Sequence, residues 1–164
     1  MMSTKINVRV ILIALLMVFG FSFSVPAQDE PTSDMQIVLE KIRADKKLFV
    51  SENMQLTEAE AKGFWPVYDK YQDELFLLRS RQAKLIMSYK ENYQKMTNDT
   101  AKKLMDESIA IEALGLKLRQ TYLPKFRKVL PEVKVARYYQ IENKIQAVLY
   151  FDLAGKIPLM KMAQ

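Results

Sequence analysis

Apolar residues recur three or four positions apart along most of the chain, which is the spacing of one face of an α-helix. The first such segment covers residues 34–50, and its apolar face carries Met35, Val38, Leu39, Ile42 and Phe49. No segment alternates apolar and polar residues with the period of two that a half-buried strand requires. The pattern therefore predicts an all-α fold.

A second helix is predicted to begin at Thr57. Its hydroxyl can cap the first turn, and Glu60, three residues later, can bond back to the Thr57 amide, which is the capping-box arrangement. Pro66 lies inside this helix and predicts a bend, or a short opening helix followed by a longer one. The apolar seam that follows comprises Phe64, Tyr68, Tyr71, Leu75, Leu78, Leu85 and Tyr89.

Two further helices are predicted after a polar break at residues 92–98. The third carries a stripe interrupted by the small residues Ser108 and Gly115, which would let a neighbouring helix approach closely, and Pro124 should kink its end. The larger members of this stripe are Leu104, Ile111, Leu118, Tyr122, Phe126 and Val129. The fourth helix covers residues 131–154 and is stopped by Gly155 and Pro158.

These segments predict an elongated bundle of helical hairpins with about four helices. We expect residues 34–157 to form a single helical domain and residues 158–164 to form a C-terminal tail. The seams of the second and third helices resemble a heptad pattern, which favours packing between helices along their length. We therefore also expect self-association as a homodimer.

The N-terminus has the pattern of a cleaved signal peptide. Lys5 and Arg9 precede an apolar run that begins at Val10, and small residues occupy the −3 and −1 positions of a cut after Ala27. A permanent membrane anchor is the other interpretation, but the apolar run is shorter than the ~20 residues that span a bilayer. We predict a signal peptide at residues 1–27, a flexible stretch at 28–33 and export to the periplasm.

The composition offers little for catalysis. The chain has no His and no Cys, so the commonest general base, the thiol nucleophile and the usual transition-metal ligands are all missing. Its four glycines are isolated from one another, which leaves no phosphate-cradling loop. The sequence predicts a binding protein rather than an enzyme, with no catalytic, cofactor-binding or metal-binding residues and no cofactor.

Positive charge is concentrated between Lys117 and Lys144, where eight basic residues face only two acidic ones and aromatic residues are interleaved. Such a segment is typical of a nucleic-acid surface, but export removes nucleic acid as a partner. The remaining partners are acidic or unfolded proteins and anionic headgroups, and the other interpretation is an ordinary solvated face. The candidate binding surface comprises Lys117, Arg119, Tyr122, Lys125, Phe126, Arg127, Lys128, Lys134, Arg137, Tyr138, Tyr139 and Lys144.

Two helix starts carry a resemblance to a known family. They are Leu56-Thr57-Glu58-Ala59-Glu60 and, more loosely, Met96-Thr97-Asn98-Asp99-Thr100. In an exported basic helical protein these starts resemble the LTXXQ motif of the periplasmic Spy/CpxP group, with Glu60 and Thr100 where the motif has Gln. The resemblance implies a small helical-hairpin protein, often a cradle-shaped dimer, that acts as an ATP-independent chaperone or modulates an envelope-stress sensor.

Charge, apolar content and resemblance together favour a periplasmic chaperone-like or envelope-stress protein that holds client polypeptides on a basic and apolar helical surface. Its partners would be unfolded or envelope proteins. The second hypothesis is a sensor or accessory subunit that docks one membrane-bound regulatory partner.

Overall fold

The chain folds into helices, as the sequence predicted. The computed structural model describes the backbone of residues 33–160 and the side chains of residues 43–160. Within this range there are four helices and no strand: α1 Ser33–Met54, α2 Glu58–Asn92, α3 Asn98–Arg127 and α4 Glu132–Lys156. The all-α prediction is confirmed. The predicted signal peptide at 1–27, nearly all of the predicted flexible stretch at 28–33 and the last four residues of the predicted tail lie outside the described residues.

The described residues group into two compact units. The hairpin unit comprises Leu56–Ala136 and the segment that starts at Ala154, so it contains α2, α3 and the first turn of α4. The α1 unit comprises the residues up to Gln55 and Arg137–Leu153, which is most of α4. The single domain expected for residues 34–157 stays a prediction.

The helix starts follow the capping signals in the sequence. Thr57 caps α2: its hydroxyl accepts the Glu60 amide at 3.3 Å, and its own amide donates to Glu60 Oε2 at 2.8 Å, which completes the predicted capping box. Thr97 caps α3 by accepting the Thr100 amide at 3.2 Å. Side-chain oxygens thereby satisfy amide donors that have no partner within the helix.

The two prolines inside helices do not end them. α2 continues through Pro66, so the expectation of a short opening helix followed by a longer one is wrong. Pro124 lies within the last turn of α3, which ends at Arg127. A proline removes one helical hydrogen bond; at Pro66 the buried side chains on either side, Phe64 and Tyr68, hold the helix in the core.

Aromatic rings from α2 and α3 form the core of the hairpin unit. The ring centroids of Tyr71 and Tyr122 lie 5.2 Å apart, those of Phe64 and Phe126 lie 5.7 Å apart, and those of Tyr71 and Phe126 lie 5.9 Å apart. All four side chains are buried. Because tilted and edge-to-face aromatic pairs add about 0.5–1.5 kcal/mol each beyond area burial, these contacts hold α2 firmly against α3.

Two glycines lie at contacts within this unit. Leu78 Cδ2 lies 3.5 Å from the position that a Cβ would take at Gly115, which is an ordinary van der Waals distance, so the close approach expected there stays a prediction. Gly63 faces the side chain of Val129, just after α3. A Cβ on Gly63 would lie 3.0 Å from Val129 Cβ and 3.1 Å from its Cγ1.

In the α1 unit, polar contacts join α1 to α4. Lys46 Nζ donates to Glu142 Oε2 at 2.9 Å, and Arg137 Nε donates to the carbonyl oxygen of Asn53. The later residue of α1, Asn53, contacts the earlier residue of α4, Arg137, and the earlier Lys46 contacts the later Glu142. The two helices therefore run antiparallel. Glu142 is buried, and a buried carboxylate requires a partner such as Lys46 because desolvation of an unpaired charge is costly.

We expect the contact between Gly63 and Val129 to reverse the usual effect of replacing a helical glycine. Gly→Ala inside a helix normally stabilises by up to about 1 kcal/mol, but Gly63→Ala places a methyl group against the rigid Cβ of Val129. We predict a loss of about 1–3 kcal/mol in the free energy of unfolding, measured by urea denaturation. Gly155→Ala is the matched control, because no atom lies within 4 Å of its Cβ position, and it should leave stability unchanged or raised. Equal effects of the two variants would contradict this packing.

Candidate binding surface

Three of the twelve predicted surface residues are not on the surface. Tyr122, Phe126 and Tyr138 are among the most deeply buried side chains of the described residues, so their assignment to a binding surface is wrong. Tyr122 and Phe126 contact Tyr71 and Phe64 in the hairpin core. These three aromatic residues occur at helical spacing because they enter the core, so they are not exposed for stacking on a partner.

Several of the predicted cations are also engaged within the fold. Lys134 pairs with Glu60 of the capping box, and Arg127 Nε pairs with Glu132 Oε1 at 2.8 Å. Arg137 donates to Asn53, and Lys125 Nζ lies 3.9 Å from the centre of the Tyr122 ring. These contacts hold segments of the chain together, so part of the basic segment has a structural role.

The predicted residues divide between the two units. Lys117 through Lys134 belong to the hairpin unit, whereas Arg137, Tyr138, Tyr139 and Lys144 belong to the α1 unit. Arg119 and Tyr139 are half-buried, and Lys117, Lys125, Lys128 and Lys144 are exposed. Exposed cations therefore occur in each unit, while three of the four aromatic residues predicted to accompany them are buried.

Along the α2–α3 pair the structure has a shallow groove of about 420 Å³, which we call the hairpin groove. Leucines from both helices line it: Leu78 and Leu118 are the more deeply buried, while Leu77 and Leu114 are exposed. The polar lining residues are Glu74, Arg81, Lys117 and Thr121. The groove thus combines an apolar lining with a charged rim.

The charges of this rim are held in place by neighbours. The Tyr122 hydroxyl donates to Glu74 Oε1 at 2.6 Å, and burial together with this carboxylate raises the pKa of Tyr122 to about 12. Arg81 binds Glu107 through two bonds, Nε to Oε1 at 2.5 Å and Nη2 to Oε2 at 2.7 Å, which lowers the pKa of the Glu107 carboxyl. Lys117 forms no ion pair with any residue that the structure describes, so its charge is available to a partner.

A row of large apolar side chains lies on the solvent side of α3. Met105, Ile109 and Leu116 are four and seven residues apart, which places them on one face of the helix, and each is 58–59% exposed. We call these three residues the outer stripe of α3. Glu112 lies on the same line and is exposed as well.

Neither the outer stripe nor the exposed leucines of the groove were identified from the sequence. The available signal was an excess of apolar residues: between Ile109 and Leu118, seven of ten positions are apolar, which is more than one buried face requires. Helical periodicity identified the stripe of residues that enters the core, but it does not indicate that the apolar residues beside this stripe are exposed.

The described residues contain no group of three or more acidic side chains that could hold a metal ion. Among the same residues, no helix has the length and apolar character needed to cross a membrane. Comparison with protein-family models, with curated proteins and with solved structures finds no match to the chain. The Spy/CpxP resemblance therefore rests on the short motifs alone.

The Glu60–Lys134 pair predicts a specific dependence of stability on pH. The hydrogen bond from Lys134, followed by that from the Thr57 amide, lowers the pKa of the Glu60 carboxyl. A lowered pKa in the folded state means that Glu60 stabilises the fold above the ordinary carboxyl range of about 4 and that this contribution is lost as the pH falls below it. Glu60→Gln should therefore lower the unfolding free energy at pH 7 and reduce its decrease between pH 7 and pH 3.

Urea denaturation at both pH values measures this effect. Glu58→Gln is the matched control, because it removes a neighbouring exposed carboxylate of the same helical turn and leaves the Glu60–Lys134 contact intact. If both variants reduced the acid-induced loss equally, the ion pair would have no special role.

Proposed function

We propose that this protein is an exported holding chaperone that binds unfolded polypeptides on the hairpin unit. The observation that carries the proposal is the outer stripe of α3, where three large apolar side chains are more than half exposed in a row. Monomeric soluble proteins rarely expose apolar patches larger than roughly a few hundred Å², and the largest patch on a monomer is often functional.

The hairpin groove adds to this surface. Leu77 is 69% exposed and Leu114 is 41% exposed, so the groove presents apolar side chains at its edges as well as at its base. Lys117 on the rim offers a positive charge to acidic groups of a client. Apolar contact supplies affinity in proportion to the area buried, while a shallow, open site keeps the holding reversible.

The signal-peptide pattern and the resemblance to the Spy/CpxP group support a periplasmic location and a chaperone role. A homodimer is also part of this proposal. Part of the seam on which the sequence based it is used within one chain, because Phe64, Tyr68 and Tyr71 are buried in the hairpin unit. The later seam residues of α2 are half-buried: Leu75, Leu78, Leu85 and Tyr89.

Loss of the stripe should impair holding. Ile109→Ser combined with Leu116→Ser removes two of the three exposed apolar side chains and leaves the core intact. We expect the affinity for a client to fall at least tenfold, since each such side chain contributes about 1 kcal/mol or more when covered. The measurement is the dose that suppresses light scattering of a denatured test protein, free of disulfides, diluted from urea.

Leu159→Ser is the matched control, because Leu159 is 91% exposed and lies outside the stripe and the groove. It should leave the protective dose unchanged. Failure of the unmodified protein to suppress aggregation at equimolar dose would contradict the proposal. If the protein instead captured one envelope protein in stoichiometric amount and gave no general protection, the sensor or accessory-subunit hypothesis would replace it.

A further inference from the structure

A second exposed face lies on α4, within the α1 unit. Arg137, Gln140, Lys144, Val148 and Phe151 are spaced three or four residues apart and are all exposed. We call these five residues the outer face of α4. Phe151 is 84% exposed, which is unusual for a large aromatic side chain because its burial normally stabilises a fold substantially.

The sequence around Phe151 makes this exposure more notable. Seven of the nine residues from Ile145 to Leu153 are apolar, and none of the nine is buried. A helix that is apolar on most sides is normally enclosed by protein or by lipid. Here the buried side chains of α4 within the α1 unit lie earlier in the helix, at Tyr138, Ile141 and Glu142.

The two charged residues classed as exposed on this part of α4 are both positive. Arg137 and Lys144 are exposed, while the two acidic residues of the segment are withdrawn: Glu142 is buried against Lys46, and Asp152 is half-buried. Lys144 forms no ion pair with any residue that the structure describes. The outer face of α4 is therefore cationic in its first half and apolar in its second half.

We propose that the outer face of α4 binds the surface of an anionic lipid bilayer. Interfacial helices combine Lys or Arg with large apolar residues, which enter the boundary between headgroups and acyl chains. Phe151 and Val148 would insert there, and the long side chain of Lys144 would keep its ammonium among the anionic headgroups. This binding differs from client holding in both the unit and the residues that it uses.

The size of the apolar patch argues against a second copy of the chain as the occupant. Phe151 and Val148 together expose on the order of 200–250 Å², which is about half of the apolar area that each partner of a standard protein interface contributes. A bilayer needs no matching surface, because lipids adapt to a small apolar insertion and the anionic headgroups act over the whole cationic half.

Flotation of the purified protein with lipid vesicles tests the proposal. We expect binding to vesicles that contain one-third phosphatidylglycerol and much weaker binding to pure phosphatidylcholine, with the difference reduced by salt. Phe151→Ser should weaken binding to the anionic vesicles at least tenfold. Val133→Ser is the matched control, since Val133 is an 81% exposed apolar residue of the same helix. This variant should bind the vesicles as the unmodified protein does.

A second pair of variants separates this site from general electrostatic attraction. Lys144→Glu and Lys102→Glu change the net charge equally, and both lysines are exposed. We expect Lys144→Glu to weaken binding at least fivefold, because each positive charge near an anionic surface contributes about fivefold, and Lys102→Glu to change it less than twofold. All forms begin at Gln28, after the predicted cut, so that the apolar run within residues 1–27 does not itself bind the vesicles.

Three results would overturn the proposal. The first is no binding to anionic vesicles. The second is that the two lysine variants lose vesicle binding equally while Phe151→Ser loses none, because the binding would then depend only on the net charge of the protein. The third is a halving of the mass by light scattering in Phe151→Ser, which would identify a second copy of the chain as the occupant.

Discussion

The packing of aromatic rings between α2 and α3 is the constraint on which the hairpin unit depends. Once Tyr122 and Phe126 are fixed against Tyr71 and Phe64, the rotation of α3 about its axis is set. Ile111 and Leu118 then enter the core, and Met105, Ile109 and Leu116 necessarily face solvent. The exposed apolar stripe is thus a direct consequence of where the aromatic residues pack.

The same packing also explains the composition of the basic segment between Lys117 and Lys144. Basic and aromatic residues alternate between Lys117 and Lys144 because one face of each helix is buried and the other is solvated. Lys134 is tied to the α2 cap through Glu60, and Arg137 joins α4 to the end of α1. Several charges of the segment therefore stabilise the fold, and exposed cations such as Lys117 and Lys144 remain for partners.

The sequence was sufficient for the features that depend on local chemistry. The helix starts at Thr57 and Thr97 and the helical periodicity all depend on neighbours along the chain. Local sequence does not show which partner each apolar face of a helix contacts.

Periodicity shows that Tyr122 and Phe126 share a face, but whether that face contacts another helix or a partner depends on residues such as Tyr71, some 50 positions away. The continuity of α2 through Pro66 likewise depends on tertiary packing. The expectation that a proline bends or ends a helix takes only the neighbouring residues into account.

In the proposed function, the outer stripe of α3 contacts the client, while Tyr122 and Phe126 of the basic segment belong to the core. Hydroxyl-radical footprinting of the side chains, with and without a bound unfolded client, distinguishes these two roles. We expect Met105, Ile109 and Leu116 to be oxidised in the free protein and protected in the complex, while Tyr122 and Phe126 remain unreactive in both. Oxidation of Tyr122 and Phe126 in the free protein, with protection on client binding, would contradict this assignment of roles.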